Sequence, residues 1–385
     1  MIRLAGATVV LPDRLLSPGE IVIEGERIVE VSSTSARAGG AFEGHYILPG
    51  FIDVHVHGVE GLDSLDGGDV ISRMATRLPA FGVTAFCPTS IACPPEMLRD
   101  MLRGIAAART QPVPGSARVL PAHLESNFIN ADFKGAQPLA CIRAPHETVE
   151  GAFAGRDILD EIAAARADVG IVTVAPEIDG VLELIPELVA HGHRVSLGHS
   201  GATYEQGRAA ILAGARHATH LFNRMPPFGH RAPGLAGAVL ESSHVAAEII
   251  CDGVHVHPAV VRAAVAAKGP SKIMAITDGT AGSGLPKGGH ATLGGRPITL
   301  GDAAYLEDGT LAGSVLTMDR ACRVLVTTME FSLTDAALMC ATTPARELGL
   351  QGRGAIFAGA FADLVVLDQD LQVVTTYISG IPATP

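Results

Sequence analysis

At 385 residues the chain is long enough for one large domain with an appendage, or for two or three ordinary domains. Hydrophobic residues at 48% against charged ones at 18% fit a compact enzyme with a large core. The formal net charge of −12 argues against nucleic acid as a partner, because phosphate backbones are bound through Lys/Arg surfaces.

The opening Met1-Ile-Arg-Leu-Ala-Gly6 has no signal-peptide anatomy, and no apolar run approaches the ~18 residues of a membrane span. Residues 1–50 alternate short apolar runs with turn residues, and Glu24-Gly25-Glu26 reads as a hairpin turn. The segment Leu48-Pro-Gly-Phe-Ile-Asp-Val-His-Val-His-Gly58 then reads as an apolar strand that ends on two imidazoles. Residues two apart on a strand share a face, so His55 and His57 project together, as a cation such as Zn²⁺ requires.

From there to about residue 350 short apolar strands alternate with Ala-rich amphipathic segments. Strands are expected at Val83 to Thr89, Arg118 to Leu124, Ile171 to Glu177, Val195 to Ser200, Ala218 to Leu221, Val245 to Cys251 and Ile273 to Asp278. Helices are expected at Leu182 to His191, Tyr204 to Ala213, Pro258 to Lys268 and Met318 to Met329. This alternation indicates an α/β fold with a parallel sheet, closed as a (β/α)₈ TIM-type barrel. A doubly wound open sheet is the runner-up, disfavoured because no Gly-x-Gly-x-x-Gly opens a helix after the first strand. The C-terminal runs Phe361 to Asp368 and Leu371 to Ile378 return to the texture of the N-terminus. The expected organisation is a small β-sandwich domain from residues 1–50 and 352–385, and a catalytic barrel over 51–351. The six scattered cysteines read as reduced thiols of a cytoplasmic protein, with Cys87 as packing.

In a parallel barrel chemistry collects at the C-terminal strand ends. Here those ends carry His55 and His57, Glu125, His199, His220, Asp252 with His255, and Asp278. One such residue reads as a hydrogen-bonded core group; six strand ends in register read as a metal centre. His123 is a candidate neighbour of that centre, while His191 and His193 close a helix.

These residues together resemble the amidohydrolase superfamily, and within it the family of N-acetylglucosamine-6-phosphate deacetylases. The resemblance runs through the opening His-x-His, His123-Leu-Glu125, Lys134-Gly-Ala-Gln-Pro138, Ala175-Pro-Glu177 and Gly198 to Tyr204. It continues through Ala218-Thr-His-Leu-Phe-Asn-Arg-Met-Pro226, Arg231-Ala-Pro-Gly-Leu-Ala-Gly237, Asp252-Gly-Val-His255, Thr277-Asp278 and Leu311-Ala-Gly-Ser314. It implies that Glu125, His199 and His220 hold one divalent metal, and that His55 and His57 hold a second, with Glu125 bridging and Asp278 adjacent. Zn²⁺ leads, with Fe²⁺, Mn²⁺ and Co²⁺ open, at one or two per subunit. The implied reaction is removal of an acetyl group by metal-activated water, with Asp278 taking the water's proton and returning it to the amine. The implied partner is a phosphorylated N-acetyl amino sugar held by Ala136, Gln137, Asn223, Arg224, Arg231, His255 and the Leu311, Ala312 and Gly313 backbone. Arg231 would reach the site from the neighbouring subunit of a homodimer.

The chain departs from the family pattern at Ser126 and Asn127, where Gly-Pro is usual, at Gln137, where some members have His, and at Arg224, where a small residue is usual. These changes leave the ligands intact and put the exact sugar in question. Two other readings stay open: an amidohydrolase acting on N-acetylgalactosamine-6-phosphate or on an N-acyl amino acid, and a metal-free barrel serving as a scaffold.

Overall fold

Eight strands in the middle of the chain pair side by side in chain order, every neighbour parallel. They are β1 (Phe51–Val56), β2 (Val83–Ser90), β3 (Ala122–Glu125), β4 (Val169–Val174), β5 (Arg194–Leu197), β6 (His217–Ala218), β7 (Ala246–Ile250) and β8 (Ile273–Ile276). The computed structural model describes residues 1–34 and 40–383; residues 35–39 and 384–385, inside the predicted terminal segments, lie outside the described residues.

The sheet closes where β8 ends against β1. His55 O accepts from Asp278 N at 2.9 Å, and Gly279 O accepts from His57 N at 2.8 Å. Closure sets aside the doubly wound alternative. Every residue of β1 and β2 is buried, as expected of strands covered on both faces.

The helices follow their strands: α1 (Val70–Arg77), α2 (Pro95–Thr110), α3 (Gly155–Ala164), α4 (Val181–Ala190), α5 (Tyr204–Ala213), α6 (Gly234–Glu241), α7 (Pro258–Lys268) and α8 (Met318–Thr327). Local chemistry explains their ends. Thr203 Oγ1 accepts from Gln206 N while Gln206 Oε1 accepts from Thr203 N, a reciprocal cap that starts α5 right after the loop bearing His199.

Most predicted strands end a few residues early, and two of the shortenings have a plain local cause. Arg118 to Leu124 breaks at Leu120-Pro121, because Pro121 has no N–H for the ladder, leaving Arg118–Val119 and β3. β6 stops at Ala218, because His220 adopts a φ of 29°, which a strand does not accommodate.

Both termini build one seven-stranded sheet, in the order Ile381–Ala383, Val373–Ile378, Leu364–Leu367, Tyr46–Pro49, Ile2–Val10, Leu15–Glu24 and Arg27–Ser33. The Leu364–Leu367 strand works on both faces. Leu364 and Val366 join an apolar cluster with Leu4, Val9 and Ile21, while Val365 and Leu367 join the barrel's core. A three-stranded antiparallel sheet, His290–Leu293, Arg296–Leu300 and Ala304–Tyr305, is inserted after β8 and was not anticipated. Asp63 Oδ2 accepts from Gly294 N at 2.6 Å and pins this insert over the C-terminal mouth.

At the other end of the barrel Glu347 lies 3.3 Å from Lys272 Nζ and 3.8 Å from His217 Nε2. Burial alone would push its carboxyl up, but His217, Arg346 and Lys272 hold it down to about 2, against an ordinary 4.5. Its folded pKa is thus the lower one, so its stabilisation is present above about 4.5 and is lost as pH falls towards 2. Urea unfolding is expected to show Glu347→Gln less stable than the parent at pH 7, by a margin that shrinks steadily as pH falls below about 4.5. An undiminished gap at the acid end would remove Glu347 from that role.

Candidate metal centre

The C-terminal ends of the strands deliver six candidate ligands to one point, and the backbone is bent to do so. His199, His220 and Asp278 each follow a strand in the left-handed region, at φ 46°, 29° and 50°. Such conformations cost of order 1–3 kcal/mol each in non-glycine residues and gather at functional sites. Gly313 lies against Asp278 at φ 65°, where a Cβ would stand 2.8 Å from Asp278 O.

Glu125 is the hub. Its Oε1 lies 2.9 Å from His199 Nε2 and 2.8 Å from His220 Nε2, and those two nitrogens are 3.0 Å apart. On the other side His55 Nε2 and His57 Nε2 are 3.2 Å apart, each 3.7 Å from a Glu125 oxygen. Asp278 Oδ1 completes this half, 3.1 Å from His57 Nε2 and 3.5 Å from His55 Nε2.

The imidazoles are oriented from behind. His199 Nδ1 donates to Phe133 O at 2.8 Å, His57 Nδ1 to Thr89 O at 3.3 Å, and His55 Nδ1 faces Glu248 Oε2 at 2.9 Å. A proton held on each Nδ1 leaves Nε2 with its lone pair aimed inward, the arrangement a ligated histidine needs. Four Nε2 atoms and two carboxylates converging in this way fit divalent cations, in the groups Glu125/His199/His220 and His55/His57/Glu125. The scaffold reading gains nothing here, since every candidate ligand is present and in place.

The electrostatics agree. Burial drives His55 down to about 4 and keeps it neutral. Burial would lower His57 and His220 too, but Asp278 raises the first and Glu125 lifts the second to about 9. Burial would raise the carboxyls of Glu125 and Asp278, yet the facing imidazoles hold both below the usual range. The site therefore presents paired negative charge and nitrogens that a metal cation could take over from protons.

A cavity of about 480 Å³ opens onto this cluster, lined by His57, Glu125, His199, His220 and Asp278. Of the residues expected to meet substrate, Ala136, Gln137, Asn223, Arg224, His255, Leu311 and Gly313 line it. Ala312 is buried behind the wall, its N–H bound to Ala304 O. Arg231 is exposed on the loop before α6 and does not line the cavity of its own chain.

Gln137 does more than line the wall. Its Nε2 donates to Glu125 Oε2 and its Oε1 accepts from Ala92 N at 2.7 Å, so it steadies the hub. Asp252, read as a strand-end candidate, orients His255 instead, with Oδ2 2.7 Å from Nδ1. His123 lies beside the centre, its ring centroid 4.5 Å from that of His55, and both its nitrogens are engaged by Val54 O and Thr173 Oγ1. A second cavity of about 510 Å³ lies at the opposite mouth of the barrel; Cys87 faces it, away from the centre.

Two buried carboxylates were missed. Glu248 and Asp53 sit in strands that read as apolar, Glu248 behind His55 and Asp53 accepting from Thr277 Oγ1 at 2.5 Å. The one available signal was an acidic residue inside each buried strand.

This is the site of a metal-dependent barrel hydrolase. The family model described as the amidohydrolase family matches residues 46–381. The N-acetylglucosamine-6-phosphate deacetylase of Rattus norvegicus is 38% identical over 379 residues, covering 95% of this chain and 88% of the relative. The N-acetylgalactosamine-6-phosphate deacetylase of Escherichia coli O157:H7 is 34% identical over 372 residues, covering 96% and 94%. A solved structure of a variant N-acetyl-D-glucosamine-6-phosphate deacetylase from Mycobacterium smegmatis, in complex with N-acetyl-D-glucosamine-6-phosphate, superposes with a TM-score of 0.90 at 33% identity, covering 100% and 99% of the two chains. The chain belongs to the amidohydrolase family, in the branch that holds the N-acetylglucosamine-6-phosphate deacetylases.

Proposed function

We propose that this protein hydrolyses the acetamide of N-acetylglucosamine-6-phosphate, releasing acetate and glucosamine-6-phosphate. The observation that carries the reading is the convergence of His57, Glu125, His199, His220 and Asp278 at the floor of one cavity, with His55 buried beneath them. Relatives matched over most of their length that bear this activity in their names support it.

Glu125, His199 and His220 would hold one divalent cation, and His55 and His57 a second beside Asp278. Zn²⁺ suits this donor set best, with Fe²⁺, Mn²⁺ or Co²⁺ able to replace it. Such a cation acidifies water and draws charge from an acyl oxygen. The chain's own residues do the rest. Asp278, its carboxyl held below the usual range with His57 Nε2 3.1 Å away, accepts the proton of the attacking water. As the oxygen bonds to the carbonyl carbon and the C–N bond breaks, Asp278 returns that proton to the amine nitrogen. Leu293, Leu311 and Phe222 line the cavity and limit the water beside the reacting amide.

Arg224 supplies positive charge at the rim, and His255 and Asn223 supply hydrogen-bonding groups. Gly135 makes room for Arg224: a Cβ there would stand 2.6 Å from the guanidinium Nε. Arg231, exposed and outside its own chain's cavity, completes the phosphate site of a neighbouring subunit in a cytoplasmic homodimer.

Acetate release from N-acetylglucosamine-6-phosphate, N-acetylgalactosamine-6-phosphate and unphosphorylated N-acetylglucosamine tests the substrate. Preferred turnover of the first supports the reading, and preference for the second moves it to the other epimer. No turnover of either phosphorylated sugar discards it. Arg224→Ala is expected to raise KM for the phosphorylated sugar by about tenfold or more with kcat little changed, the loss of one charged hydrogen bond. An unchanged KM would place the phosphate elsewhere.

A further inference from the structure

We infer that Glu248 is a positioning residue that fixes His55 for the His55/His57 half of the centre, and that it sets how tightly a second metal is held. The inference rests on the two-cation reading of the site, and not on which sugar is its substrate.

Glu248 is the third residue of β7, fully buried in the barrel, and it does not line the substrate cavity. Its Oε2 lies 2.9 Å from His55 Nδ1, while its Oε1 has no hydrogen-bond partner among the described residues. The charged-type pairs of this carboxylate are with the imidazoles of His55 and, at 3.7 Å, His123. A buried carboxylate without a cation is costly, so its placement needs a reason.

His55 provides it. That ring offers metal only Nε2, which lies 3.2 Å from His57 Nε2, so its proton must sit on Nδ1. Glu248 accepts that proton's hydrogen bond, holds the ring plane, and makes Nε2 a stronger donor, as carboxylates behind ligating histidines do. Its negative charge is then balanced across the ring by a cation on Nε2. The other half of the centre has no such support: His199 Nδ1 uses a neutral carbonyl, and His220 Nδ1 has no partner among the described residues.

A metal enclosed by His55, His123 and Glu248 themselves is the competing use of these residues. His123 argues against it. Its Nδ1 donates to Val54 O at 2.9 Å and its Nε2 accepts from Thr173 Oγ1 at 2.8 Å, so neither nitrogen is free. Thr173 Oγ1 in turn meets Thr219 Oγ1 at 2.7 Å, which anchors that orientation.

The test is Co²⁺ binding to the chelator-stripped full chain, followed by equilibrium dialysis and visible absorbance. The parent is expected to take two equivalents. Glu248→Gln, which keeps the shape and loses the charge, weakens one of them about tenfold, and Glu248→Ala about 100-fold. The other equivalent keeps its affinity and its spectrum in both variants, which general damage to the fold would not allow. His55→Ala loses the same equivalent as Glu248→Ala, and His199→Ala the opposite one. Two tight equivalents in both Glu248 variants would overturn the assignment, as would one equivalent in the parent or equal loss of both. If Glu248→Ala does not fold, Glu248→Gln decides alone. Two equivalents in the parent without acetate release would fail the proposed substrate and leave Glu248 its role.

Discussion

Glu125→Gln lowers kcat for acetate release by about 10³-fold or more and leaves the purified protein short of metal. Glu125 is the one residue that both halves of the centre share, with His199 and His220 within 2.9 Å of Oε1 and His55 and His57 each 3.7 Å from one of its oxygens. The amide keeps the volume but removes the charge that gathers four imidazoles around it. Several kcal/mol of charge stabilisation in the transition state goes with the cation, and each 1.36 kcal/mol is tenfold in rate. Metal analysis beside acetate release checks this. A variant with full metal content and activity within tenfold of the parent would show that Glu125 is not the hub.

Asp278→Asn separates proton transfer from metal binding. Asp278 stands at the edge of the cluster, 3.1 Å from His57 Nε2, and it lines the cavity, whereas His55 lies buried beneath. Asparagine can still accept hydrogen bonds but cannot carry the proton from water to the amine. The expected loss in kcat is about 10²–10⁴-fold, with KM changed only a few-fold and the Glu125/His199/His220 metal retained. Steady-state kinetics with metal analysis read both. A rate within tenfold of the parent would assign the proton to another group.

Much of this site was legible because a parallel barrel fixes where side chains go. Once alternating strands and helices point to a closed sheet, a residue at the C-terminal end of any strand belongs to the same mouth. That is how His55, Glu125, His199, His220 and Asp278, spread over more than 220 positions, could be read as one cluster. The helix starts were legible too: Tyr204 and Pro258 open α5 and α7 where the pattern places them, behind a Thr cap and with a leading Pro.

What escaped has a common cause. Glu248 and Asp53 lie inside apolar strands, and nothing local says whether such a carboxylate faces a histidine across the barrel or ends the strand. Gln137 could be placed near the substrate only through the family resemblance, and its bond to Glu125 depends on a loop that folds back over the mouth. The small sheet within residues 290–305 sits in a loop region, where short strands with Gly-rich turns carry little periodicity. Arg231 marks the opposite limit, since its predicted partner belongs to a second subunit.

The most direct measurement is acetate release from N-acetylglucosamine-6-phosphate by the purified protein, before chelation, after it, and on return of Zn²⁺. The account predicts turnover that falls to background when metal is stripped and returns as the centre refills, saturating at a fixed stoichiometry. Turnover that persists in verified metal-free protein would contradict it.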